Sequence, residues 1–191
     1  MATRNFLIAA VACVGALLRP VRAQASDWKY AGAMDEKTII FFDAESVAND
    51  EPVVRYWVKI ITEEELERVA NSMSEKDKAA FIDRATTMIA GGYMPPLLRI
   101  SSFRKSMTSR GVDFRQFHAQ VVCWEMLAAM PAKMAARILF EVDCGRRASR
   151  FIEGVAFDEN EKVKGMQKGV EWRFIAPDTN GAWMADLLCA R

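Results

Sequence analysis

Apolar and polar residues alternate with a period of two in two stretches near the start of the chain. Thr38 to Asp43 (TIIFFD) and Val53 to Ile61 (VVRYWVKII) are β-branched and aromatic, and Asn49, Asp50 and Pro52 punctuate the gap between them. In the second stretch Val54, Tyr56, Val58 and Ile60 fall on one face. Arg55 and Lys59 fall on the other, with Trp57 between them. That pattern predicts an antiparallel strand with one wetter side. Trp28-Lys29-Tyr30 opens an earlier strand.

From Glu63 the period lengthens. Leu66, Val69, Ala70 and Met73 recur at helical spacing behind the acidic first turn Glu63-Glu64-Glu65, which suits the positive end of a helix dipole. Ser74-Glu75-Lys76-Asp77 resembles a capping box and starts a second helix, with Phe81, Ala85, Met88 and Ile89 on one face. Gly91-Gly92 end it, and Pro95-Pro96 prevent its resumption. After a connector, Asp113 caps a further helix with the stripe Phe114, Phe117, Val121, Trp124 and Ala128, closed by Pro131.

Alternation then returns. Ile138, Phe140, Val142 and Cys144 share a face opposite Arg137, Glu141 and Asp143. Gly145 interrupts, Arg147 to Phe157 reads as the next strand, and Asp158 to Gly169 as a polar hairpin connection. Glu171 to Ala176 is the last strand. Pro177-Asp178-Thr179 enters a final helix, Ala182 to Cys189, apolar nearly all round except for Asp186. Such a helix must lie against the sheet. The fold class is therefore α+β: an antiparallel sheet, a docked C-terminal helix, and a helical insertion of about residues 62–134 between two strand-rich parts.

The first twenty-five residues read as a signal peptide. Arg4 supplies the positive region, Phe6 to Leu18 is an apolar run too short to span a bilayer, and Ala23-Gln24-Ala25 is an A-x-A cleavage pattern. An alternative makes Cys13 the acylated residue of a lipoprotein. Cleavage after Ala25 leaves 166 residues as a single domain, 26–191, with 23 basic and 25 acidic side chains. A formal charge of −2 gives no global case for nucleic acid. No second apolar run reaches transmembrane length. The expected location is the periplasm, the cell surface or the medium.

Export changes how the cysteines read. Cys123, Cys144 and Cys189 remain after cleavage, and an oxidising compartment preserves disulfides. There is no C-x-x-C pair and His118 is the only histidine, so no metal site is expected. Strand period places Cys144 inward, and Cys189 lies near the end of the apolar helix. A Cys144–Cys189 bridge would staple that helix to the sheet, with Cys123 left as a thiol in a helix.

At these residues the chain resembles the surface-adhesin protein E family of exported bacterial proteins. The likeness runs through Trp28-Lys29-Tyr30-Ala31-Gly32, Phe42-Asp43-Ala44-Glu45-Ser46-Val47 and Val54-Arg55-Tyr56-Trp57-Val58-Lys59. It returns at Asp143-Cys144 with basic residues after it, at Trp172-Arg173-Phe174-Ile175-Ala176-Pro177, and at a helix ending in Cys189. The resemblance implies an antiparallel sheet cross-linked to a C-terminal helix through Cys144 and Cys189, and a non-enzymatic binding role. The helical block is larger than the family's compact pattern.

Arg146, Arg147 and Arg150 are the candidate contacts for a polyanionic glycan or lipid, joined by Lys162, Lys164 and Lys168; the competing reading is a solvated strand edge. Arg99 to Arg115 is a second basic stretch, read as an exposed connector. His118 with Glu125 is the one acid/base pair available to an enzyme or small-ligand carrier with a pocket between the helical block and the sheet. The methionines at 73, 88, 126, 130 and 134 read as core packing. No catalytic residue and no cofactor is expected, and the partner is expected to be a protein or a polyanionic surface.

Overall fold

In a computed structural model the described residues are 26–190 apart from position 36. The expected signal peptide, residues 1–25, and Cys13 lie outside them. Eight strands form one antiparallel sheet: β1 (Trp28–Ala33), β2 (Thr38–Asp43), β3 (Ala48–Asp50), β4 (Val53–Thr62), β5 (Ala136–Asp143), β6 (Ala148–Phe157), β7 (Val163–Lys168) and β8 (Arg173–Phe174). The order is β1-β2-β4-β5-β6-β7, with β3 added to β4 and β8 to β6. The helical block connects β4 to β5 as α1 (Glu63–Ser72), α2 (Glu75–Ala90), α3 (Ser101–Ser109) and α4 (Phe114–Ala128), and α5 (Asn180–Cys189) closes the chain. Among the described residues no helix is long and apolar enough to cross a membrane.

The two faces of β4 feed two cores. Ile61, with Ile39, Phe41 and Tyr30, packs under Leu66, Phe103, Val121 and Leu127 from the helical block. Val54, Tyr56, Val58 and Ile60 pack with Val142 beneath Met184, Ala185 and Leu188 of α5. Trp183 belongs to the first core and Met184 to the second, so α5 ties both together. Its start is fitted tightly to β1. Gly32 has φ +131°, and a Cβ there would sit 2.5 Å from Asn180 Oδ1.

The caps behave as their residue types require. Ser74, Asp113 and Thr179 each accept a backbone N–H of the helix they precede.

Four expectations need correction. Asp158 to Gly169 contains β7, whose six residues are all exposed, so no burial pattern marks them as a strand. The basic connector 99–115 contains α3, anchored by buried Phe103 and Met107 at i, i+4. The last strand shrinks to the two residues of β8. Lys59 does not lie on a wet face: it is 4% exposed, covered by Trp28 and by the end of α4, where its Nζ donates to Ala128 O.

Candidate functional site

Cys144 follows β5, its N–H donating to Pro52 O at 3.0 Å. It is bonded to Cys189, with Cα atoms 5.6 Å apart. That removes Cys144 as nucleophile or ligand and leaves the staple. Cys123 is half-buried, and burial pushes its thiol up, away from the reactive thiolate.

The turn after Cys144 separates the three arginines. Arg147 has φ +47°, and its Nη2 reaches Asp186 of α5 at 3.0 Å. Arg146 turns the other way, its backbone N–H and Nε donating to Asp143 Oδ1 and Oδ2 at 2.9 and 2.6 Å. Those two bonds hold the Asp143 carboxyl below the usual range. Arg150 Nε donates to Glu141 Oε2 at 2.7 Å, and Arg55 Nη2 donates to Glu141 Oε1 at 2.6 Å. Glu141 is 2% exposed. Burial opposes its ionisation, but the two guanidiniums outweigh it and hold the carboxyl low.

Trp172 lies over this row. The Cζ of Arg150 is 4.7 Å from its ring centroid and that of Arg146 is 5.4 Å. Lower on the same face Arg137 stacks on Trp57 at 4.5 Å. The helices pack on β1 and on the end of β4, so this half of the face stays open. It presents indoles and guanidiniums in fixed positions. Across it the side chains of Arg55, Arg137, Arg146 and Arg150 stand among those of Glu141, Asp143 and Glu153, so the acids offset part of the positive charge. Lys164 and Lys168 lie on exposed β7 at the edge of the sheet.

His118 and Glu125 do not form a pair. Nε2 of His118 bonds Tyr93 O at 2.8 Å, and its ring stacks on Phe114. Glu125, 5% exposed, accepts the Tyr93 hydroxyl at 2.6 Å and the Tyr30 backbone N–H at 2.9 Å. Burial raises its pKa, against those two bonds and the Lys29 charge. Because β1 is an edge strand, Glu125 satisfies a backbone donor that no neighbouring strand can reach. The spacing to Tyr30 in sequence is 95 residues, too distant for any local signal.

A pocket of about 380 Å³, which periodicity could not show, opens between α3, α4 and β1. Tyr30, Phe103, Phe117, Trp124 and Trp183 wall it, and Arg110 stands beside them. His118 is not among its lining residues.

No protein-family model, no curated protein and no solved structure matches the chain.

Proposed function

We propose that the chain is an exported, non-enzymatic binding domain of the surface-adhesin protein E type, acting in the periplasm, at the cell surface or outside the cell. Its contact surface is the open half of the sheet, and its partner a protein or polyanionic surface. One observation carries this reading: the Trp172 ring lies against the guanidiniums of both Arg146 and Arg150, which buried acids fix from behind. Trp and Arg are the residues that dominate binding energy at interfaces. The Cys144–Cys189 bridge supports an oxidising location. An enzymatic role for His118 and Glu125 finds no support in their geometry, because both are committed to Tyr93.

Heparin serves as the polyanion probe. The parent should be retained, the Arg146→Ala/Arg150→Ala variant should elute at clearly lower salt, and Arg147→Ala should elute with the parent. Trp172→Ala should reduce retention without changing net charge. A parent that flows through, or three variants that elute alike, would remove the platform from the polyanion reading.

A further inference from the structure

The face of the sheet that carries α5 is not covered to its far edge. Strand alternation puts Tyr56, Val58, Ile138 and Phe140 on this face, opposite Trp57, Arg137 and Glu141. Ile138, Phe140 and Phe151 are apolar yet only half-buried. The start of α5 leaves a pocket of about 280 Å³ between Met184 and strands β1, β2, β4, β5 and β6. At Ile138 it meets a second hollow of about 260 Å³, floored by Gly154 and Gly165. Together they form a trough across the strands, from Ile40 on β2 to Gly165 on β7. Four strand spacings of about 4.8 Å give it a length of about 19 Å.

Among the described residues no charged side chain lines the pocket beside α5; its polar side chains are Tyr56, Ser149 and Asn180. Asn180 is held to β1, its Nδ2 donating to Ala33 O at 2.8 Å and its Oδ1 left as an acceptor. Tyr56 is 5% exposed, and its ring stacks on Phe140. Burial alone pushes its phenol up, with no hydrogen bond and no charge contributing. Native interiors rarely leave such a hydroxyl unpaired. Among the described residues the one side-chain atom sealed away without a partner is Trp183 Nε1. The Tyr56 hydroxyl is therefore unbonded but reachable by an atom of water's size, and this pocket is the space its side chain borders.

We propose that this trough binds a single neutral alkyl or acyl chain. An alcohol or ester oxygen accepts from the Tyr56 hydroxyl, and the tail runs over Ile138 and Gly154 towards Gly165. Apolar walls with few polar groups suit an apolar body held by one oriented oxygen. A carboxylate or ammonium head would be buried there without a counter-charge, which is costly. The long, narrow outline across the strands suits a chain better than a compact ring system. The Trp172 platform lies on the opposite face of the sheet, so either site can fail without the other.

The test follows methionine methyl signals by proton–carbon correlation, with the disulfide intact. Met184 lines the trough, and Met107, in the core on the other face, is the control. Each is assigned by substitution to leucine, which conserves volume. With 1-decanol as probe the Met184 signal should move saturably while that of Met107 stays in place. Decanoate at pH 7 should bind about tenfold more weakly or worse. Tyr56→Phe removes a hydroxyl that has no partner in the fold, so the variant should fold as the parent does. It should weaken decanol about fivefold, the worth of a neutral hydrogen bond, and leave hexane unchanged. A Cβ at Gly165 meets nothing within 4 Å, so Gly165→Leu should fill the far end and shrink the advantage of decanol over hexanol. An unmoved Met184 signal in decanol-saturated solution overturns the proposal. So does decanoate binding as well as decanol, or a decanol affinity that both Tyr56→Phe and Gly165→Leu leave intact. A Met184 signal that moves on dilution of the protein alone would assign the trough to a second copy and overturn it too.

Discussion

Replacing Lys59 by methionine should make the protein more stable, and should remove a specific part of its pH dependence. The ammonium of Lys59 is 4% exposed, sits 4.4 Å from the Trp28 ring centroid, and donates to the carbonyl of Ala128. Burial pushes its pKa from 10.5 down to about 8, only partly opposed by the Asp43 charge. Between those two values the unfolded chain binds the proton that the native chain has released. Stability therefore rises with pH across this window and is lowest below it. At about 1.4 kcal/mol per unit the penalty at neutral pH is roughly 3 kcal/mol. Attraction to the desolvated indole favours the charged form by about 1–2 kcal/mol, which trims the penalty to about 1–3 kcal/mol. Methionine keeps the buried stem but leaves Ala128 O without its donor, a loss of about 1 kcal/mol. The net expectation for Lys59→Met is a gain of about 1 kcal/mol at pH 7. Urea unfolding of parent and variant from pH 7 to 10, both carrying Cys123→Ala to prevent thiol exchange, supplies the comparison. The difference between the two isolates Lys59, because the raised phenols of Tyr30 and Tyr56 are common to both. The parent should gain on the variant by about 1–3 kcal/mol over that range. A difference that stays flat with pH, or a variant that loses 2 kcal/mol or more at pH 7, would refute the reasoning.

Three further predictions concern structure. The bridge closes a sequence separation of 45 residues, so Cys144→Ser/Cys189→Ser should cost about 4 kcal/mol in urea unfolding on the chain-entropy model; a loss below about 1 kcal/mol would mean that α5 docks by packing alone. Glu125→Ala should cost about 1–3 kcal/mol by stranding the Tyr30 N–H. Glu125→Gln should keep that bond and flatten the fall in stability that the parent shows as pH rises through the raised native pKa, measured from pH 4 upward.

How far the sequence could be read follows from where burial acts. β2 coincides with the predicted strand, and β4 runs one residue past it, because each strand alternates against packed layers. The Cys144–Cys189 bridge was legible because an inward strand position and an apolar helix end both pointed to it. β7 left no trace because it buries neither face. Lys59 was misplaced because a charge in an alternating strand is read as solvent-facing, whereas here the strand passes beneath α4 and Trp28. The role of Glu125, the pocket at Trp183 and the contact of Arg147 with Asp186 each join segments far apart in the chain. Local pattern carries no information about such meetings.

The arginines show why solvation and binding are not exclusive readings. A solvated edge leaves each guanidinium free to sample many rotamers, and a partner must then order them at a cost of about 0.5–1.5 kcal/mol per side chain. Arg146 and Arg150 escape much of that cost. Asp143 and Glu141, 4% and 2% exposed, take the Nε–H of each, and Trp172 covers one flat side. The acids lower the net charge of the patch, which weakens long-range attraction to a polyanion. In return they fix the direction of the remaining N–H groups, which favours a partner presenting oxygens at defined positions. A basic run partly offset by acids in this way should discriminate by shape more than by charge density. Its binding should therefore be more sensitive to Trp172→Ala than a simple cation exchanger would be, and Arg→Lys at positions 146 and 150 should not restore it.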